Sequence, residues 1–245
     1  MEDLIFGIRP IIEFIESGGK PEKVLMQQAL HGSNVQTLFS LIRKHKIPYQ
    51  MVPAARLNKL CKQNHQGVLA FRAIIEYQSL ESILPELVNT GEKLLLLVLD
   101  GVTDVRNMGA IARSAECAGA HALVIPEKGN APVNAEAIKA SAGALARIPV
   151  CRETSVTHAI SFLKACGIAV LASDDRAKNT IYGEKLDQHL AVILGSEDKG
   201  VSSSARKMAD KTVSIPMKGN IASLNVSVAA GVILFEALRQ RHFNT

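Results

Sequence analysis

The unbroken run Leu94, Leu95, Leu96, Leu97, Val98 and Leu99 constrains the fold more than any other feature of this chain. A strand with one wet face alternates apolar and polar residues. A run that does not alternate belongs to a strand buried on both faces, as in a parallel sheet covered by helices. Lys93 and Asp100 bound the run, and its shortness favours a strand over a buried helix. Further short apolar runs follow at 122–125, 168–172, 191–194 and 213–215. Helical spacing separates them at 108–118, 135–147 and 156–166, and a long last helix is expected over 222–241. Strands alternating with helices predict an α/β domain built on a parallel sheet. Ligands of such sheets sit at the carboxyl ends of the strands. The loops after Leu99, Ala172, Leu194 and Ile215 are therefore where chemistry is expected.

The chain before this domain has a different charge. Residues 1–72 hold ten Lys/Arg against five Asp/Glu, residues 73–92 hold four Glu and no base, and residues 93–245 hold eighteen bases against fourteen acids. From Lys23 to Ile75 there are eight bases and no acid. Such a surface attracts polyanions, because each Lys or Arg that meets a phosphate releases condensed counterions. Helical spacing at 10–17, 34–46 and 53–61, with strand candidates at 23–26, 49–52 and 67–71, predicts a small α/β unit over 1–74. The acidic stretch 75–92, with Pro85 and Gly91, reads as a linker, and the second domain runs over 93–245. The front unit is poor in aromatics, so phosphate charge and shape are expected to dominate over base stacking in its contact with a nucleic acid. Arg9, Arg43, Lys44, Lys46, Lys59 and Lys62 are its candidate nucleic-acid contacts, with Asn64 and His65 as candidate base or ribose contacts.

Several classes are excluded. The four cysteines, Cys61, Cys117, Cys151 and Cys166, form no C-x-x-C pair and have no accompanying His cluster, so neither a zinc site nor a disulfide framework is expected. No apolar stretch approaches a membrane span, and Met1-Glu2-Asp3 is not the start of a signal peptide; a cytoplasmic protein is expected. Gly195 and Gly200 have P-loop spacing, but Val201 stands where the phosphate-binding lysine belongs, and no G-x-G-x-x-G occurs.

Three segments carry polar groups at strand ends. Asn107 precedes the first helix of the second domain in the manner of an N-cap; Gly109 allows close backbone approach, and Arg113 follows in an otherwise Ala/Ile-rich stretch. Glu197 and Asp198 lie between Gly195 and Gly200. Ser223, Asn225 and Ser227 lead into a last helix that is apolar on nearly all sides, and such a helix is buried on more than one side, by a core or by a subunit interface.

Together Asn107-x-Gly109-x-x-x-Arg113, Leu194-Gly195-Ser196-Glu197-x-x-Gly200 and Ile215-Pro216-Met217 followed by Ser223-Leu224-Asn225-Val226-Ser227 resemble the motifs of the SpoU (TrmH-type) family of RNA ribose 2′-O-methyltransferases, within the SPOUT class. The front unit resembles the ribosomal-protein-like substrate-binding domain that many members carry, through Ile5 to Pro10 and His65 to Val68. Within the family the chain is most similar to bacterial enzymes acting on a guanosine of large-subunit ribosomal RNA. The resemblance implies a trefoil-knotted α/β domain, which general topology rules would not suggest. It implies S-adenosylmethionine as methyl donor, held at Ala172, Gly195, Ile215, Met217 and Leu224. It implies catalytic roles for Arg113, Asn107, Glu197, Ser223 and Asn225, with Glu197 holding Asn107 or Arg113. It also implies a homodimer formed through the C-terminal helix, and no metal. A transfer-RNA substrate, or a non-catalytic assembly protein on the same fold, are the competing readings.

Overall fold

The structure, a computed structural model, describes residues 4–220 and 223–243. The chain divides into two compact units between Ile74 and Ile75.

In the first unit, β1 (Leu4–Phe6), β2 (Pro21–Gln27), β3 (Tyr49–Val52) and β4 (Val68–Arg72) form a sheet in the order β1-β4-β2-β3. β4 runs antiparallel to both β1 and β2, and β3 is a parallel edge strand. Helices α1 (Ile8–Glu16) and α2 (Ser33–Lys44) cover one face, where Ile11, Ile15, Leu38 and Ile42 pack on Val24, Met26, Val68 and Ala70. The short α3 (Ala54–Leu60) lies on the other face, where Leu57 packs on Leu25, Val52 and Leu69. Residues of β2 alternate between the two clusters, the period of two that a strand imposes. β1 is too short for periodicity to reveal; it exists because its partner β4 supplies the ladder.

In the second unit every pairing of the sheet is parallel, in the order β7-β6-β5-β10-β8-β11-β9. Its strands are β5 (Leu95–Asp100), β6 (Ala122–Pro126), β7 (Val150–Glu153), β8 (Ala169–Ser173), β9 (Asn179–Thr180), β10 (Leu190–Gly195) and β11 (Lys211–Ser214). The leucine run divides between two cores. Leu95, Leu97 and Leu99 face α5 (Val105–Cys117), α6 (Ala135–Ala140) and α9 (Val226–His242). Leu94, Leu96 and Val98 face α4 (Leu80–Asn89), α7 (Val156–Ala165) and α8 (Ser203–Met208). Burial on both faces is thus the physical cause of the missing alternation.

Residues 75–92 do not form a linker. Ser79 caps α4 in a reciprocal box with Ser82, and Glu153 accepts a hydrogen bond from the Leu80 amide at 2.8 Å. Leu80, Ile83 and Leu84 are buried against the sheet. The acidic residues and Pro85 conceal this helix from a composition reading, but burial of its apolar stripe overrides them. The last helix starts at Val226, later than expected; its expected first residue, Ala222, lies outside the described residues.

Two glycines set close approaches. A Cβ on Gly109 would lie 2.5 Å from the Ala140 Cβ and 2.9 Å from the Ala137 carbonyl, so α5 and α6 meet only because that side chain is missing. At Gly195 a Cβ would overlap the backbone of Gly200 and Val201.

Candidate active site

The carboxyl ends of β5, β6 and β10 are stitched together by side chains. Asp100 accepts from the Ser202 amide at 2.8 Å, tying the end of β5 to the loop after β10. Asn130 accepts from the Gly101 amide at 2.7 Å and donates to the Leu99 carbonyl at 3.1 Å, tying the same end to the loop after β6. These loops are therefore held in register before any ligand arrives.

The loop after β10 is a tight turn. Ser196 and Gly200 exchange backbone hydrogen bonds at 3.2 and 2.8 Å, and Gly200 adopts φ +66°. The turn projects Glu197 toward the start of α5. Asn107 is not the N-cap expected there; Asp104 is, accepting from the Arg106 amide at 2.7 Å. That frees the Asn107 amide to donate to Glu197 Oε1 at 2.8 Å. Asn225 Nδ2 donates both to the same carboxylate oxygen and to Asn107 Oδ1, the latter at 3.1 Å. Asn225 also caps α9, its Oδ1 accepting from the Ser227 amide at 2.9 Å and from the Ser227 hydroxyl at 2.5 Å. One carboxylate and two amides from three separate sequence segments thus form one cluster.

Beside the cluster lies a cavity of about 300 Å³, within the size range of small-ligand sites. Gly195, Glu197, Ile215, Met217, Ser223 and Leu224 line it, as does the Ser173–Arg176 loop after β8. Four of the five expected cofactor contacts are therefore on its wall. Ala172 is not; it is buried in the core beneath the sheet, and its neighbour Ser173 lines the cavity instead. Among the expected catalytic residues, Asn107 and Asn225 stand beside the cavity and Glu197 and Ser223 line it. Arg113 is exposed on α5, away from that lining, and has no hydrogen bond or ion pair with any described residue.

Asp174 and Arg206 also line the cavity, and the sequence reading missed both. Their side chains pair at 2.5 Å, linking the loop after β8 to α8. Burial works against the Asp174 charge, but the Arg176 amide and the Arg206 guanidinium together hold its carboxyl below the ordinary carboxylate range. Asp174 follows a strand at its carboxyl end and was legible as a candidate; Arg206 stands on α8, which has too little periodicity to be expected.

In the first unit, Arg9, Arg43, Lys44, Lys46, Lys59 and Lys62 are all exposed. Asn64 is exposed too, whereas His65 is buried. The Gly67 amide donates to its Nδ1 at 3.0 Å, so Nε2 carries the proton and donates to Asn58 Oδ1 at 2.7 Å. Both ring nitrogens are spent on holding the turn before β4. Cys117 and Cys166 are exposed; Cys61 and Cys151 are buried, and burial followed by the nearby Glu153 charge pushes the Cys151 thiol up to about 12. Among the described residues no group of His, Cys, Asp and Glu is arranged to hold a metal ion, and no helix is long and apolar enough to cross a membrane.

The SpoU rRNA Methylase family model matches residues 94–235, and a model of the RNA 2′-O ribose methyltransferase substrate-binding domain matches residues 4–78. The chain is 35% identical to the 23S rRNA (guanosine-2′-O-)-methyltransferase RlmB of Escherichia coli K12 over 245 residues, covering 98% of this chain and 100% of that protein. It is 33% identical to a putative TrmH family tRNA/rRNA methyltransferase of Bacillus subtilis, covering 98% and 96%. Among solved structures it resembles the SpoU methyltransferase AviRb of Streptomyces viridochromogenes in complex with the cofactor AdoMet, with a TM-score of 0.62, 27% identity, and 97% and 90% of the two chains covered. With both units matched, and the three polar segments folded into one cluster beside a cavity, the chain belongs to the SpoU family of RNA methyltransferases.

Proposed function

We propose that this protein transfers the methyl group of S-adenosylmethionine to the 2′-hydroxyl of a guanosine ribose in large-subunit ribosomal RNA. The observation that carries the reading is the Asn107–Glu197–Asn225 cluster at the cavity. The substrate follows the relatives named for 23S rRNA guanosine, matched along nearly the full chain.

The cavity fits the donor. Ile215, Met217 and Leu224 offer apolar surface to an adenine or thioether, and the absence of a side chain at Gly195 lets two backbone segments pass close beside it. When bound, the donor supplies a methyl group already activated as a sulfonium. What remains for the protein is to place the ribose hydroxyl in line with that methyl and to manage its proton. Glu197, accepting from both Asn107 and Asn225, fixes the orientation of the two amides, and Ser223 adds a hydroxyl to the cavity wall. Arg113 carries a permanent cation, so it is assigned to anchoring the substrate phosphate and ribose rather than to removing a proton.

The same reading includes a cytoplasmic homodimer and a trefoil knot. Val228 and Phe235 on α9 are about half exposed, at 51% and 50%, an apolar strip that a second copy would cover. Arg113, outside the cavity of its own chain, then belongs to a site completed by two copies.

The test is to incubate the protein with methyl-labelled S-adenosylmethionine and unmodified large-subunit ribosomal RNA, with transfer RNA in parallel. Label recovered as 2′-O-methylguanosine from ribosomal RNA is expected. Label in transfer RNA alone would retain the chemistry and discard the substrate. No label in either, with the donor bound, would favour a non-catalytic role in ribosome assembly.

A further inference from the structure

Apolar residues exposed on an edge strand are a liability that folded proteins ordinarily avoid. β3 is an edge of the first unit's sheet. Its Tyr49 and Met51 pair in register with Val24 and Met26, whose side chains lie in the core beneath α1 and α2, so Tyr49 and Met51 belong to that same face. Tyr49 is nevertheless 46% exposed and Met51 38%.

Folding accounts for part of this arrangement. Phe39 of α2 packs against the core, and its ring meets the Tyr49 ring at a centroid distance of 5.7 Å and an interplanar angle of 85°. An edge-to-face pair is attractive, and it braces the Tyr49 side chain against the helix. In that geometry Phe39 covers at most one face of the Tyr49 ring. The Tyr49 hydroxyl makes no hydrogen bond with any described residue. A ring that is held in place and nearly half exposed is ready contact area, because little side-chain freedom is left to lose on binding.

The surroundings select the partner. Arg43 stands one turn after Phe39 on the same face of α2. Lys44 ends that helix, and His45 and Lys46 lead from it toward β3, all of them exposed. Cations beside an exposed ring are the components of a single-stranded nucleic-acid site, where the charges take phosphates and the ring takes a base. The family model matched over residues 4–78 is that of an RNA methyltransferase substrate-binding domain. A second copy docked here about a two-fold axis would instead bring like charges together.

We infer that Tyr49, braced by Phe39 and with Met51 beside it on the strand, is a stacking platform for an unpaired base of the RNA, with Arg43, Lys44 and Lys46 taking neighbouring phosphates. This rests on the proposed RNA substrate and adds how the first unit holds it. Counting aromatics points to charge and shape alone, because a count does not show that two of the few rings meet.

The protein contains no tryptophan, so Tyr49→Trp gives it a single indole at the platform. Binding of the full-length protein and its variants to unmodified 23S ribosomal RNA transcript is measured across a series of salt concentrations, with thermal midpoint and S-adenosylmethionine affinity recorded for each. Tyr49→Ala is expected to weaken binding about 10-fold, the scale of one stacked base, while the slope of log affinity against log salt stays unchanged. Tyr49→Phe is expected to keep the affinity, because a base stacks on the ring and not on the hydroxyl. Tyr49→Trp is expected to keep it too, and its emission to be quenched as the transcript binds. Arg43→Met is expected to lower the slope by about 1, for one phosphate no longer neutralised. Full affinity in Tyr49→Ala, or an indole emission that the transcript leaves unchanged, overturns the inference while leaving the methyltransferase reading in place. Where Tyr49→Ala also lowers the thermal midpoint, the Tyr49→Trp emission decides. A Tyr49→Ala protein that binds RNA normally but changes its oligomeric state by light scattering assigns the edge to a second copy and overturns the platform. If the unsubstituted protein fails to bind the transcript, the substrate proposal falls and the platform with it.

Discussion

At the scale of single residues, the site is a matter of which polar group each neighbour leaves free. Asp104 takes the cap of α5, and Asn107 is thereby released to meet Glu197 and Asn225. Arg113 stands apart from all three. Arg113→Ala is expected to cut methyl transfer by about 10²-fold or more, the scale of a misplaced reactant. Affinity for S-adenosylmethionine, measured by calorimetry, is expected to stay near its original value; retained turnover would remove Arg113 from the reaction. Asp174 supplies a pH dependence. Its folded carboxyl titrates below the ordinary value despite burial, because the Arg176 amide and Arg206 favour the charged form. The unfolded chain then binds more protons between that depressed value and the ordinary one near ~3.9, so this contribution is present at neutral pH and lost as pH falls through the folded value. Thermal midpoints measured from pH 6 down to about 3 should fall less steeply in Asp174→Asn than in the parent protein.

At the scale of elements, close backbone crossings and two-sided burial govern what is tolerated. Gly195→Ala places a methyl group in the backbone of Gly200 and Val201, which cannot move aside without opening the turn that carries Glu197. A loss exceeding about 4 kcal/mol is expected, seen as loss of soluble yield or of the cooperative melting transition. Cysteine chemistry reads the same burial. Cys117 and Cys166 close α5 and α7 at the surface, whereas Cys61 is buried and Cys151 sits within β7. Native alkylation at pH 8 should modify Cys117 and Cys166 and spare Cys151, whose thiol lies near 12 and yields little thiolate; intact mass before and after unfolding tests this. The leucine run and the alternation after it made β5 and its neighbours legible. α4 was not, because its Glu residues and Pro85 imitate a linker until the sheet beneath it is in place. β1, β7, β9 and α8 were not expected either, being too short to show a period.

At the scale of the whole molecule, α9 is the element whose burial within one chain is incomplete. Its inward face joins the larger core through Ala230, Ile233, Leu234 and Ala237, while Val228 and Phe235 stay half exposed. Glu236, buried on the same helix, is held in its charged form, first by hydrogen bonding from Arg239, with Gln240 adding a second donor. Phe235→Glu should convert a dimer into a monomer by light scattering and abolish methyl transfer, since the reading assigns Arg113 to a site completed by two copies. A monomer with full activity would refute the shared site.

The alternation of strands and helices in the second unit, the two-sided burial of Leu94 to Leu99, the basic front unit and the three polar segments were legible in the sequence alone. They are properties of spacing, and spacing is local. Only the tertiary structure decided that Glu197 would bind both Asn107 and Asn225, that Ala172 would be core and Asp174 cavity, and that His65 would be spent on its own turn. Each of these depends on residues far apart in the chain meeting in space, and hydrogen bonding and charge act over a few ångströms whatever the separation in sequence.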